Sequence, residues 1–303
     1  MSQPEYSGII ISSRSGFYTV HTRSGDVICQ MRGRLKEERL NESLAAVGDK
    51  VAISVLPDGK GVLEAIRPRE KAFFRLAPTT RGVFKQVMLA NPDQVVLVFS
   101  CANPDPSFRM LDRFLVITEK QHIPVVVVAN KTDLIGIDAA MELFGVYPGL
   151  GYRVVFTSAT DNTGIAELEQ VLIGKISALS GPSGVGKSSL LNCIQPNLGL
   201  KIGALKKSSN KGRHTSVVRE LTPLVGGGFV ADMPGLRSLS LWDTQPEELD
   251  GYFPELRGLV ENCQFSNCRH ISEPGCAVKQ AVEAGKVSWQ RYQSYVRLRQ
   301  GDS

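Results

Sequence analysis

Residues 181–188 read Gly-Pro-Ser-Gly-Val-Gly-Lys-Ser, a spacing of glycines, lysine and hydroxyl that suits phosphate binding. Gly181, Gly184 and Gly186 let backbone N–H groups turn inward. With Pro182, Ser183, Val185 and the following Ser189, they make an anion nest where a helix begins. Lys187 then reaches the β- and γ-phosphates of a nucleotide, a catalytic as well as a binding contact, and Ser188 offers its hydroxyl to Mg²⁺. The context fits, because apolar residues 176–179 read as a strand leading in and residues 188–194 as a helix leading out. A ligand-free glycine-rich turn is disfavoured by the full pattern in this setting.

The base is read by a second motif. Asn130-Lys131-Thr132-Asp133 ends the β-branched run 123–129, which fits a central strand of a parallel sheet, so the motif lies at a strand's carboxyl end, where such sheets bind ligands. Asp133 can accept both the ring N–H and the exocyclic amine of guanine, with Asn130 and Lys131 completing the guanine site. Adenine presents the opposite pattern and would leave the carboxylate unpaired, which argues against an ATP-dependent kinase. The motif precedes the phosphate loop, the reverse of the usual order, and this inversion points to a circularly permuted P-loop GTPase domain.

Two shorter signals complete the nucleotide site. Asp232-Met-Pro-Gly235 follows a short apolar strand, so Asp232 is suited to hold Mg²⁺ through water while the Gly235 N–H meets the γ-phosphate. Ser158 and Ala159, after residues 153–157, are suited to give backbone N–H groups to the guanine O6, although a helix-capping role for Ser158 fits equally well. Residues 206–216 lack hydrophobic periodicity and read as a switch loop in which Thr215 closes on Mg²⁺ when GTP is bound.

A separate cluster near the end reads Cys263-x₄-Cys268-x-His270-x₅-Cys276. Three thiolates and an imidazole make a closed tetrahedral set, the signature of one structural Zn²⁺, in a segment too rich in polar and turn residues to fold on apolar burial alone. All four positions are filled by protein, so this zinc is expected to have no catalytic role. Cys29, Cys101 and Cys193 stand alone in apolar runs and are expected in the core.

The permuted order, the stretch Gly212-Arg213-His214-Thr215 and the cysteine–histidine cluster together resemble the RsgA (YjeQ) family, circularly permuted GTPases that act on the bacterial small ribosomal subunit. The resemblance covers nearly the whole chain. Met233 and Ser216 stand where the family usually has threonine; Ser216 leaves the Mg²⁺ contact resting on Thr215. Leu236 follows Gly235 where many GTPases place a catalytic glutamine, and leucine cannot orient water. The resemblance implies that His214 takes that role, which imidazole chemistry permits. It also implies stimulation of hydrolysis by the small subunit.

The elements that position these residues divide the 303-residue chain in three. Residues 1–70 carry four β-like runs (8–12, 17–22, 27–31 and 50–55) parted by turn signals, which predicts a small barrel; spacing does not separate an OB-fold from an SH3-like barrel, and the resemblance implies the OB-fold. Residues 67–75 read as a linker, 71–240 as the GTPase domain and 241–303 as a mainly helical zinc-binding domain, with a capping box expected at Thr244 and Glu247. Since the sheet is complete by Asp232, residues beyond Gly235 lead straight into the zinc module, and nucleotide state is expected to reposition it.

Net charge is +5, which permits RNA binding without requiring it. Its distribution is more telling: Arg32, Arg34, Lys36 and Arg39 in the barrel, Arg67, Arg69, Lys71 and Arg75 in the linker, and Lys201, Lys206, Lys207, Lys211 and Arg213 around the switch favour rRNA contact over ordinary solvated faces. The first residues are polar and no run reaches membrane-spanning length, so a cytoplasmic monomer is expected. The reading is a GTP hydrolase of late small-subunit (30S) maturation that couples hydrolysis to release. Its alternative is a GTP-regulated RNA-binding module in which hydrolysis is incidental.

Overall fold

The computed structural model describes residues 5–33, 35, 42–79, 82–196, 220–233 and 244–301. Strands β1 (Glu5–Arg14), β2 (Phe17–Thr22), β3 (Gly25–Met31), β4 (Lys50–Val55) and β5 (Gly61–Ile66) close a barrel in the order β1-β2-β3-β5-β4. The parallel β3–β5 pair and the antiparallel β1–β4 closure make this the OB-fold that run spacing left open. Alternation turns Ile10, Val20, Cys29, Ile53 and Leu63 inward, all fully buried. β5 is absent from the four runs read in the sequence, because Glu64 and Ala65 dilute its apolar pattern.

The expected linker corrects in two ways. Strand β6 (Ala72–Thr79) begins inside it and pairs with β7 (Gly82–Ala90) as a long antiparallel hairpin. Arg69 is also withdrawn from the RNA-facing set: its guanidinium donates at 2.8 Å to each carboxylate oxygen of Asp49, which is fully buried, and further to Glu42 and the Ser43 carbonyl. This bidentate pair locks the exit of the barrel.

The central sheet runs β10 (Arg153–Thr157), β9 (Val125–Asn130), β8 (Gln94–Ser100), β11 (Ile176–Ser180), β13 (Phe229–Asp232), β12 (Thr222–Pro223), parallel except for β12. Every residue of β8 and β11 is buried, as continuous apolar runs in a doubly covered parallel sheet require. Helices α1 (Phe108–Lys120), α2 (Ile137–Leu143), α3 (Val146–Gly149), α4 (Ile165–Leu172) and α5 (Lys187–Ile194) cover the faces. Register sets Ser100 beside Asn130 and Asn130 beside Thr157, and Leu179 beside Asp232, so the motif residues line one carboxyl edge. Although late in the chain, β11 lies centrally, the spatial mark of permutation.

The last region holds a 3-10 turn at Pro246–Tyr252 and helices α6 (Pro254–Val260), α7 (Ala277–Glu283) and α8 (Trp289–Arg299). The capping box does not form. Pro246 fixes the start of the turn behind Gln245, which has no side-chain cap, and Thr244 instead accepts from Lys120 Nζ at 3.4 Å. The region docks on α1 through Arg291, 1% exposed, which donates to Asp112 at 2.6 Å and to Glu255 at 2.7 and 3.2 Å and lies 4.6 Å over the Phe253 ring. The barrel meets the sheet differently, through the Leu221 N–H to the Ile11 carbonyl (2.7 Å), Arg14 to Glu220 (2.7 Å) and the His21 ring edge-on to Phe229.

Candidate nucleotide site and metal centre

Strand β11 ends at Ser180 and α5 opens at Lys187, so the phosphate loop spans a strand-to-helix turn as its sequence requires. Gly181 has φ +148° and passes so near Val98 that a Cβ would sit 2.0 Å from its carbonyl oxygen. Gly186 has φ +98°, and a Cβ there would lie 2.3 Å from Asn130 Nδ2. Only glycine fits both places. The Lys187 ammonium folds over the loop, donating to the carbonyls of Gly181 (2.9 Å) and Pro182 (2.8 Å), and Ser188 sits in the first helical turn, 8% exposed.

Asn130 fastens the loop that follows β9 to the glycine-rich loop 181–186. Its Nδ2 donates to the Val185 carbonyl at 2.7 Å and its Oδ1 accepts from Thr157 Oγ1 at 3.0 Å, so the amide is engaged at both ends. Lys131 adopts φ +65° and donates to the Asn103 carbonyl, while Asp133 is exposed at the mouth. Burial pushes the Cys101 thiol up to about 11, with the Asp133 carboxylate adding to the shift. On the next strand, the Ser158 N–H is taken by the Thr163 carbonyl (3.0 Å), and Ser158 Oγ accepts from the N–H groups of Thr160 and Asp161. Ser158 therefore closes its own loop, and α4 starts later, with Gly164 as its N-cap. Among the described residues, the Ala159 N–H has no partner, whereas the Ala159 carbonyl accepts from the Cys193 thiol at 3.6 Å. Cys29 and Cys101 are core residues as expected; Cys193 is half-buried.

Asp232 stands beside the phosphate loop at the end of β13. Burial raises its carboxyl above the ordinary value, and Lys187 opposes that shift. Its Oδ1 is buried without a partner among the described residues. A buried, unmatched carboxylate oxygen is costly unless a cation meets it, so the donor set of Asp232 and Ser188 fits Mg²⁺. His214, Thr215 and Gly235, with the rest of loop 206–216, lie outside the described residues.

The second cluster assembles as its spacing suggests. One ligand atom each from Cys263, Cys268, His270 and Cys276 lies within 4.8 Å of all the others, and three of the four residues are buried. His270 Nδ1 faces Cys263 Sγ at 3.5 Å and Cys276 Sγ at 3.4 Å. Cys276 also caps α7, accepting from the Lys279 N–H at 3.5 Å. The loop is held by Glu273, whose carboxylate accepts from the N–H groups of Arg269, Ile271 and Ser272, and by Tyr292 and Tyr295, which donate to the carbonyls of His270 and Arg269. The Glu273 carboxyl is lowered to about 2: desolvation, the largest single effect, works against the shift, and the backbone hydrogen bonds together outweigh it. The donor set fits a tetrahedral metal.

The RsgA GTPase profile matches residues 66–242 and the RsgA N-terminal domain profile residues 7–63. This chain belongs to the RsgA GTPase family. A relative in Gemmatimonas aurantiaca, named small ribosomal subunit biogenesis GTPase RsgA, is 43% identical over 296 residues, covering 97% of this chain and 96% of its own. The crystal structure of YjeQ from Thermotoga maritima superposes with a TM-score of 0.78 at 37% identity and 99% coverage of both chains. That of YloQ, described as a circularly permuted GTPase, gives 0.75 at 33%, covering 99% of this chain and 95% of the other.

Several residues that build this RsgA-family site carry no sequence signal of their own. Thr157, which orients Asn130, looks like any strand threonine. Asp250, whose Oδ2 lies 3.2 Å from His270 Nε2, is 20 residues away in an unremarkable acidic stretch. Glu273, just before Pro274 and Gly275, has no feature in the chain that marks it as the acceptor of three backbone N–H groups.

Proposed function

We propose that this RsgA-family GTPase hydrolyses GTP to GDP and phosphate at the carboxyl edge of its central sheet and acts in late maturation of the small ribosomal subunit. The observation that carries the nucleotide reading is the 2.7 Å bond from Asn130 to Val185, which holds a guanine-reading loop and a phosphate loop at fixed separation. Such a clamp suits a guanine nucleotide bound across both. Asp133 selects guanine, and Ala159, rather than Ser158, gives the N–H to its O6. The loop N–H groups and Lys187 hold the phosphates, drawing Lys187 away from its own loop carbonyls. Ser188, Asp232 and Thr215 hold Mg²⁺, which neutralises charge across the β- and γ-phosphates. Because Leu236 cannot orient water, His214 does so, with Gly235 facing the γ-phosphate.

The metal in the four-ligand cluster is a structural zinc. The OB-fold barrel and the exposed basic residues contact rRNA, with the protein acting as a cytoplasmic monomer. The relatives' name, small ribosomal subunit biogenesis GTPase RsgA, supports the subunit assignment. Among the described residues no helix is long and apolar enough to cross a membrane.

The deciding experiment measures phosphate release from GTP by the protein alone and with small subunits, large subunits or naked RNA. A large increase with small subunits only, abolished by His214→Ala with GTP affinity retained, is expected. Tight GTP binding with no increase under any condition would replace this reading with a GTP-regulated RNA-binding module.

A further inference from the structure

Outside the nucleotide site, Asp250 is a constrained polar group that no step uses. It lies in the 3-10 turn Pro246–Tyr252, not in the metal loop, and it faces the ring nitrogen of His270 opposite the one that meets the sulfurs of Cys263 and Cys276. Both of its oxygens are directed. Oδ1 accepts from the Gly251 N–H at 2.8 Å, and Oδ2 lies 3.2 Å from His270 Nε2. The turn itself is pinned, since Arg299 donates to the Pro246 carbonyl (2.6 Å), Arg257 donates to the Gly251 carbonyl (2.6 Å) and Lys120 pairs with Glu248 (3.6 Å). A carboxylate so held has one thing to offer His270, an acceptor for the Nε2 proton. Taking that proton leaves the Nδ1 lone pair facing Cys263 and Cys276. His270 needs such help, because its backbone is at φ +60° and its side chain is fully buried, so neither solvent nor an ordinary backbone conformation sets the ring.

We propose that Asp250 is a positioning residue for the metal centre: it fixes the His270 tautomer and ring orientation for ligation through Nδ1, and so couples metal affinity to the 3-10 turn outside the ligand loop. The inference rests on the reading that the cluster binds zinc. Carboxylate partners of ligating histidines commonly contribute about 10- to 100-fold in metal affinity.

The test uses the full chain. Zinc content of the wild type is measured first; a chain that binds no zinc ends the zinc reading itself, apart from any role of Asp250. Zinc affinity is then read by competition with a chromogenic chelator for wild type, Asp250→Ala and Asp250→Asn. The alanine variant is expected to bind about 10- to 100-fold more weakly, and the asparagine variant, which keeps an acceptor, to lose less. The same substitution is repeated in a His270→Cys background, where a thiolate needs no proton acceptor and the Asp250 effect should vanish. Unchanged affinity in Asp250→Ala, or an equal loss with and without the imidazole, would overturn the proposal. If His270→Cys does not fold, hydrogen exchange of the His270 Nε2 proton in zinc-loaded protein decides: protection in the wild type and rapid exchange in Asp250→Ala support it, and equal exchange overturns it.

Discussion

The barrel and the metal module are joined to the same central sheet by contacts of opposite character. Arg291 and Asp112 form a fully dehydrated pair, with side chains 1% and 0% exposed, reinforced by Glu255 and by the Tyr147 hydroxyl at 2.9 Å. Arg14 and Glu220 form an open pair at 69% and 60% exposure, next to one backbone hydrogen bond and one aromatic edge. A buried pair punishes the loss of either partner, whereas an exposed one is screened and nearly neutral. The module is thus fixed on α1, and the barrel rests on the sheet with little electrostatic commitment.

Metal removal should give the largest effect. Stripping the cluster with a strong chelator is expected to remove on the order of 10 kcal/mol of folding free energy from the module. Limited proteolysis would then cut within residues 263–276 while GTP binding and the barrel persist; unchanged resistance would mean that the module stands on its apolar core alone. Next comes Arg291→Met, which leaves Asp112 and Glu255 facing each other without a cation. A loss of about 3–5 kcal/mol is expected in denaturant unfolding, concentrated in the module. A cost below about 1 kcal/mol would erase the distinction between the two joints. The smallest effect belongs to Arg14→Ala, expected to cost no more than about 1 kcal/mol and to shrink further in high salt. A loss as large as that of Arg291→Met would show that the exposed pair counts for as much as the buried one.

Much of the candidate site was legible because its chemistry is local: the glycine-rich loop and the Asn130–Asp133 motif each occupy consecutive residues, and the four candidate metal ligands fall within one loop. Residues that act through distant partners were not. Asn130 was read as a guanine contact, but its further bonds to Val185 and Thr157, partners 55 and 27 residues away, were not. Asp112 and Arg291, separated by 179 positions, show no pattern in the chain. Run spacing suggested a barrel, but the parallel pairing of β3 with β5, which makes it an OB-fold, is a long-range fact. The capping box failed for a local reason, because Pro246 sets the start of its turn whatever Thr244 and Glu247 would favour.

The segment joining residue 196 to residue 220 leaves the helix that carries Lys187 and Ser188 and arrives at a residue stitched to the barrel. One end of that span is moored to α5 and the other to the barrel, so whatever grips the barrel holds one of its two moorings.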